Sequence, residues 1–186
     1  LIKIFQNLGG KILFSTCITH WEDYGHQVSV TLEENLKFNC SKLIFAVNGF
    51  APQLLPQLEV QSARNQVLML KPEIPLKLKG CFHYHKGYVY FRNVGDSLLI
   101  GGGRHLDTAG ENTLDWDFNT TITNYLIDFA EKHLLQKVAY KVTDHWTGIL
   151  GLGPVKSPII EMISPSVAVA VRMGGMGVAI GTLVGQ

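Results

Sequence analysis

The last twenty residues of the chain contain its clearest change of hydrophobic pattern. Val167, Val169 and Val171 alternate with smaller residues, which is typical of a β-strand, and the run breaks at the glycines that begin at Gly174. An apolar segment with spaced glycines follows over 178–184 and predicts the first turns of a helix. The pattern therefore predicts a strand, a glycine turn and a helix, whose free N-terminal N–H groups attract anions and electron-rich oxygens.

Other interpretations of this closing segment stay open. The spacing G-x-G-x-x-x-G over 175–181 is a loose variant of the dinucleotide fingerprint, but no crossover to a second strand with an acidic residue follows it. The G-x-x-x-G repeat over 177–185 is typical of packed membrane helices, but Arg172 interrupts the apolar run. Close packing of a buried strand and helix is a further alternative. We favour a ligand, with the polar edge of a ring resting on the helix N-terminus.

Alternation of apolar and polar residues predicts a β-rich start of the chain. A short helix over 1–8 is closed by Gly9, and turns are expected at 23–25 and 33–35. Strands are predicted over 12–18, 27–32 and 36–40, followed by a buried strand over 43–47.

The middle of the chain predicts a second set of strands and one helix. Strands are expected over 64–70 and 138–146, a hairpin over 88–94 and 98–100, and a glycine and proline loop over 147–157. Asn119 or Thr120 can cap a helix with Ile122, Tyr125, Leu126 and Phe129 on one face. The fold class is therefore α+β, with a mixed, largely antiparallel sheet and a helix.

Composition limits the possible partners. The 186 residues are 46% hydrophobic with a net charge of +1, and the cations are scattered, so we expect no nucleic-acid partner and no membrane span. Three cysteines without C-x-x-C spacing favour reduced thiols and a cytoplasmic location. Because the chain starts without methionine and ends inside a helical pattern, we expect it to be a piece of a longer protein.

Several side chains could bind a small molecule. Tyr88, Tyr90 and Arg92 share one face of their predicted strand and could orient a carboxylate, although a solvated sheet face fits the pattern equally well. Trp146 is either a core residue, which its pattern favours, or a wall of the substrate site. His83 and His85 lack a third ligand, so we predict no metal site. No Ser-His-Asp or Cys-His arrangement is visible, and no catalytic residue is assigned.

Arg64 and Arg172 are cations inside strand-like runs. Each could hold a charge near a bound ligand, but a structural ion pair is the favoured interpretation for both.

The order of these pieces resembles one family, the FAD-dependent oxidoreductases of the D-amino-acid oxidase type, which include glycine oxidase and sarcosine oxidase. The matching pieces are KILFSTCITHWED, LIFAVNGFAPQLL, ARNQVLML, GYVYFRNVGDSLLIGGG, HWTGILG and VRMGGMGVAIG. The resemblance implies a partial FAD-binding domain over 1–48, a substrate domain over 49–151 and a return to the FAD-binding domain over 152–186. It also favours a functional role for Tyr88, Tyr90 and Arg92.

The resemblance further implies which residues contact the cofactor. Backbone at Ile18 would approach the adenine, and Ala46 and Gly49 the ADP part of FAD. The closing turn would lie against the flavin ring, with Gly174, Gly175, Met176, Gly177 and Val178 as its residues.

Two departures from the family pattern affect the expected activity. No G-x-G-x-x-G turn occurs in the chain, so the main FAD anchor is missing and the chain alone should neither retain FAD nor be active. In amino-acid oxidases the segment matching Trp146 to Gly151 has an arginine for the substrate carboxylate, and Leu150 occupies that position here. An α-amino acid is therefore less well supported as substrate.

The resemblance implies the C-terminal part of an FAD-dependent oxidoreductase that oxidises a small amine or amino acid by hydride transfer to flavin. A non-enzymatic binding or assembly domain with the same fold is the alternative. Faces containing Ile12, Phe14, Val169 and Val171 would be partly uncovered, so we expect the isolated chain to self-associate.

Overall fold

The computed structural model describes residues 1–186 and has four helices and eleven strands. The helices are α1 (Ile2–Asn7), α2 (Ala51–Leu54), α3 (Thr120–Phe129) and α4 (Gly177–Val184). The strands are β1 (Ile18–Asp23), β2 (Val28–Leu32), β3 (Lys37–Cys40), β4 (Leu43–Phe45), β5 (Gln61–Pro72), β6 (Cys81–Tyr84), β7 (Val89–Val94), β8 (Ser97–Gly102), β9 (Tyr140–Leu152), β10 (Ile159–Met162) and β11 (Val167–Val171). None of the helices is long and apolar enough to cross a membrane. The α+β fold class with largely antiparallel sheets is confirmed.

The chain divides into two compact units. The first comprises residues 1–46 and 160–170, and the second comprises residues 47–159 and 171–186. The closing turn and α4 therefore belong to the same unit as the five-stranded sheet described below. The assignment of 1–48, 49–151 and 152–186 to cofactor and substrate domains stays a prediction.

The first unit contains two three-stranded sheets. One is the meander β1-β2-β3, and the other has the order β10-β11-β4, in which β11 and β4 are parallel. The predicted strand over 12–18 is wrong, because residues 12–17 form no ladder and Ser15 adopts a positive φ of 52°. Phe14 is exposed and Ile12 is half-buried, but Val169 and Val171 are buried, contrary to the expectation of an uncovered face. The self-association of the isolated chain stays a prediction.

The second unit is built around a five-stranded sheet with the order β6-β7-β8-β5-β9. One face is covered by α3, whose buried residues Ile122, Leu126 and Phe129 pack in a cluster with Leu68 and Ile100. This is the apolar stripe that the sequence pattern predicts for a helix that packs on a sheet.

Asn119 holds the start of α3 as predicted. Its Oδ1 accepts hydrogen bonds from the N–H groups of Thr121 and Ile122, which satisfies two of the free donors of the first turn. The side-chain amide of Gln66 on β5 also bonds the backbone N–H and C=O of Asn119. The helix is therefore fixed to β5 at its N-cap residue.

The strand β9 is longer than predicted. It pairs with β5 from Tyr140 to Leu152, so the loop predicted over 147–157 begins only after residue 152. A bulge lies where Met69 pairs with Asp144 and Leu70 with Val142, which leaves Thr143 as an extra residue on β9. The sequence pattern predicted a loop because this segment contains several glycines, but pairing with the long strand β5 keeps it extended.

The three glycines at 101–103 serve close packing. A Cβ at Gly102, where φ is 113°, would meet the carbonyl oxygen of Tyr88 at 2.1 Å. A Cβ at Gly101 would overlap the phenol of Tyr90, with its oxygen 2.5 Å away. Both positions require the absence of a side chain.

Candidate functional site

The five-stranded sheet has one open face, opposite the face that α3 covers. Along β5 the helix-side residues Gln66 and Leu68 are 0% and 1% exposed, whereas Asn65 and Val67, which alternate with them, are only half-buried. Directly paired residues of neighbouring strands project to the same side. The register therefore places a set of side chains from four strands on the open face: Asn65, Val67, Tyr90, Arg92, Leu99, Trp146 and Leu150.

Tyr90 and Arg92 lie on this open face as predicted. They alternate along β7, and Tyr90 pairs with Gly101 of β8, which in turn pairs with Val67 of β5. Because Gly101 has no side chain, the ring of Tyr90 lies over it, and the Tyr90 hydroxyl oxygen accepts a hydrogen bond from Asn65 Nδ2 at 2.8 Å. Burial raises the pKa of the Tyr90 hydroxyl, so the phenol stays protonated.

Tyr88 does not share this face in the way the alternation predicts. It precedes β7 in a turn with helical φ and ψ of −67° and −24°, after His85, Lys86 and Gly87 adopt positive φ. The turn breaks the two-residue period, and the ring of Tyr88 stacks on His105 at a centroid distance of 4.4 Å. His105 also contacts Tyr125 of α3. The structure thus separates Tyr88 from Tyr90 and Arg92, and its substrate role stays a prediction.

Trp146 lies on the open face rather than in the core. It pairs with Val67 in the register, and 40% of its surface is exposed. The prediction that Trp146 is a core residue is wrong, because β9 is an edge strand and no helix covers this side of it. Leu150 lies on the same face four residues further along β9.

Arg64 forms the predicted ion pair on the helix-covered side. Its Nη2 lies 2.7 Å from Glu111 Oε1, and the two residues are 7% and 0% exposed. The hydrogen bonds that Arg64 donates to the Glu111 carboxylate raise the pKa of the Arg64 guanidinium. The pair is remote from the open face, so Arg64 is a structural cation.

The closing turn presents backbone donors to solvent. Gly174 and Gly175 have φ of 56° and 84°, and a Cβ at either would meet open space. The helix α4 begins at Gly177 without a side-chain cap, and no protein acceptor receives the N–H groups of Gly175, Gly177 or Val178. Val178 is fully exposed and Met176 more than half exposed. The turn therefore offers unpaired donors and open space, which suits an electron-rich ring edge such as that of a flavin.

Asn48 anchors this turn to the end of β9. Its side-chain oxygen accepts from the Met173 N–H at 2.9 Å, and the Gly174 N–H donates to the Gly151 carbonyl at 3.0 Å. Asn48 itself has a left-handed φ of 44°, which asparagine tolerates better than most residues. The side-chain role of Asn48 depends on contacts between distant segments, which no local sequence pattern signals.

Arg172 supports the same turn, but not through the predicted ion pair. It is 8% exposed, with Nε donating to the Ser157 carbonyl at 2.9 Å and Nη1 to the Glu59 carbonyl at 3.2 Å. No carboxylate pairs with it. Gly153 provides the room, since a Cβ there would lie 2.4 Å from Arg172 Cδ. The predicted ion pair of Arg172 is wrong because backbone carbonyls of two loops supply the acceptors that a carboxylate would have supplied.

The remaining predicted cofactor residues lie in different parts of the molecule. Ile18 begins β1 and Ala46 follows β4, both in the first unit. Gly49 is buried in the second unit, where a Cβ would lie 2.6 Å from the carbonyl oxygen of Leu150. Packing alone therefore requires glycine at 49. The cofactor contacts of these three residues stay predictions.

His85, in the turn between β6 and β7, belongs to an aromatic cluster. The rings of His85 and His105 lie 5.4 Å apart, and burial beside His85 lowers the pKa of His105. His83 lies in β6 opposite Tyr90. No group of three or more histidines, cysteines and carboxylates is arranged to hold a metal ion.

The family model for DAO, described as FAD dependent oxidoreductase, matches residues 1–186. The chain therefore belongs to this family of FAD-dependent oxidoreductases, and the resemblance found in the sequence is confirmed. The comparison with curated proteins found no match.

Three solved structures show the same fold at low identity. Glycine oxidase from Geobacillus kaustophilus is 17% identical with a TM-score of 0.78, over 95% of this chain and 48% of that one. Iminodiacetate oxidase from a Chelativorans species is 13% identical with a TM-score of 0.78, over 99% and 50%. L-proline dehydrogenase from P. horikoshii is 14% identical with a TM-score of 0.73, over 97% and 50%. The chain spans about half the length of these proteins.

Proposed function

We propose that this chain is the C-terminal part of an FAD-dependent enzyme that oxidises a small amine or amino acid. The observation that carries the proposal is the open face of the five-stranded sheet, where Tyr90, Arg92 and Trp146 surround an apolar surface. The solved structures of similar fold include oxidases and a dehydrogenase of such substrates. Their coverage supports a longer protein of which this chain is about half.

The two parts of the site have separate tasks. The unpaired N–H groups of Gly175, Gly177 and Val178 would hold the electron-rich edge of the flavin, and they favour the reduced, negatively charged form. The open sheet face would orient the substrate, with Arg92 and the neutral Tyr90 hydroxyl as polar contacts and Trp146 as a wall. When bound, FAD supplies the acceptor for a hydride from the carbon next to the amine.

Anaerobic reduction of the flavin tests the proposal in the full-length protein. Glycine, sarcosine, iminodiacetate and L-proline should each be mixed with the oxidised holoprotein, and absorbance followed near the flavin maximum. We expect at least one to bleach the flavin with saturating dependence on concentration. A flavin that none of these or other small amines reduces would contradict the proposed activity.

The isolated chain should not retain FAD. The chain has no G-x-G-x-x-G turn to hold the pyrophosphate, and we propose that this anchor lies in the rest of the protein. After incubation with FAD and desalting, the protein fraction should show no flavin absorbance, and it should oxidise no amine. A stoichiometric yellow fraction would show that residues 1–186 bind FAD by themselves.

A further inference from the structure

The hydroxyl of Tyr90 has a defined donor and no defined acceptor. Its oxygen accepts from Asn65 Nδ2 at 2.8 Å, and no protein group receives its hydrogen. A phenol can accept and donate at the same time. Because the amide nitrogen of Asn65 can only donate, it occupies the accepting side of the phenol oxygen and leaves the O–H free for another group.

The surroundings of this hydroxyl keep it protonated. Burial raises the pKa of Tyr90, so the group remains an O–H donor over the physiological pH range. On the open face it is flanked by Val67 and Leu99, which are half-buried and apolar, and by the exposed His83, which pairs with Tyr90 from β6.

Arg92 lies two residues further along the same strand and on the same face. It is exposed and takes part in no ion pair, so its guanidinium is available to a ligand. A carboxylate on the open face could therefore meet a neutral donor at Tyr90 and a cation at Arg92. Such a combination of a directed donor and a charge recognises a carboxylate well.

We propose that Asn65 is a positioning residue that turns the Tyr90 hydroxyl outward, so that it donates to a carboxylate oxygen of the substrate. The inference rests on the proposed function, and it adds to that function a residue that the sequence pattern did not single out. The substrate class it implies is an amine that also has a carboxylate. By the resemblance, Leu150 stands where amino-acid oxidases have an arginine that binds the substrate carboxylate. In this chain Tyr90, positioned by Asn65, and Arg92 would bind the carboxylate instead.

Exchange of Asn65 for aspartate tests the direction of this hydrogen bond. Asn65→Asp has almost the same shape, but its carboxylate can only accept, so the Tyr90 O–H would turn inward and be lost to the substrate. In the full-length holoenzyme we expect KM for the best carboxylate-containing amine to rise roughly ten- to hundredfold, with kcat, flavin content and Tm nearly unchanged. Tyr90→Phe should raise KM to a similar extent.

The control is Asn93→Asp, which adds the same charge to the same sheet. Asn93 pairs with the buried Leu98 and so faces the opposite side, and its Oδ1 accepts from the Gly80 N–H, as an aspartate can also do. This variant should keep the wild-type KM. A purely structural role for Asn65 predicts that Asn65→Asp, which keeps the bond to Tyr90, also has the wild-type KM, and that result would overturn the inference. Asn65→Ala, which adds no charge beside the substrate carboxylate, must raise KM as well, and an unchanged KM for this variant would also overturn the inference.

Acetate binding separates this inference from the proposed function. Calorimetry of the full-length protein should show saturable acetate binding at this site, which lies beside Trp146. The acetate affinity should be at least tenfold weaker in Asn65→Asp and in Tyr90→Phe, but not in Asn93→Asp. That pattern would support the inference even if no amine reduced the flavin. Turnover of an amine without any effect of Asn65→Asp on KM or on acetate affinity would refute the role of Asn65 and leave the proposed activity intact.

Discussion

Replacement of Arg64 by methionine should lower the free energy of unfolding by about 3–5 kcal/mol. Arg64 and Glu111 lie 2.7 Å apart with 7% and 0% of their surfaces exposed, so the variant would leave a carboxylate buried without its cation. The side-chain amide of Asn119 lies 3.1 Å from Glu111 Oε1 and is too weak a partner to replace a guanidinium. Denaturation with guanidinium chloride measures the loss.

The double variant Arg64→Met/Glu111→Leu provides the control. With both charges removed, most of the stability should return, because the cost comes from the unpaired charge rather than from the loss of attraction. The amide of Asn119 keeps a second acceptor, Asp107 Oδ2, at 2.8 Å. If the single variant is as stable as the wild type, Glu111 must find solvent or another cation, and the pair does not hold this part of the unit together.

Replacement of Arg92 by methionine should lower kcat/KM of the full-length enzyme for a zwitterionic or acidic substrate by roughly ten- to hundredfold. The change removes a charge-assisted hydrogen bond worth about 1.5–3 kcal/mol, while the methionine keeps most of the apolar length of the side chain. Flavin content should stay constant, since Arg92 is placed on the sheet face and not at the closing turn. Steady-state kinetics with absorbance of the bound flavin measure both quantities.

Lys141→Met is the matched control for this loss of a positive charge. Lys141 is an exposed cation on β9, beyond the bulge and away from Tyr90 and Trp146. The Lys141→Met variant should have wild-type kinetics, because a solvent-exposed charge away from Tyr90 and Trp146 is screened and contributes little to substrate binding. Equal kinetics for wild type, Arg92→Met and Lys141→Met would show that Arg92 is an ordinary solvated residue.

Local pattern predicted the parts of the site that depend on period alone. The two-residue alternation of β7 placed Tyr90 and Arg92 on one face, and the cap at Asn119 with the apolar stripe behind it located α3. It failed at Tyr88, because His85 and Lys86 adopt positive φ although only Gly87 of that turn is a glycine. Such a conformation is rarely signalled by the residue types involved.

The roles of Asn65 and Arg172 needed the three-dimensional register. Asn65 reaches Tyr90 across β8, and the contact exists only because Gly101 lies between them in the ladder. Arg172 finds two carbonyls from loops more than a dozen residues away in sequence. No window of the sequence contains either set of partners, so the pattern did not single out Asn65 and favoured an ion pair for Arg172.

The bulge at Thr143 has a consequence for how related sequences can differ in length. An extra residue inserted between Trp146 and Leu152 would exchange the helix side and the open side for every later position of β9, and would move Leu150 away from the substrate face. The bulge already accommodates one unpaired residue without disturbing the ladder beyond it. Insertions and deletions of a single residue should therefore be found at position 143 or after position 152, while the segment between Trp146 and Leu152 should keep its length.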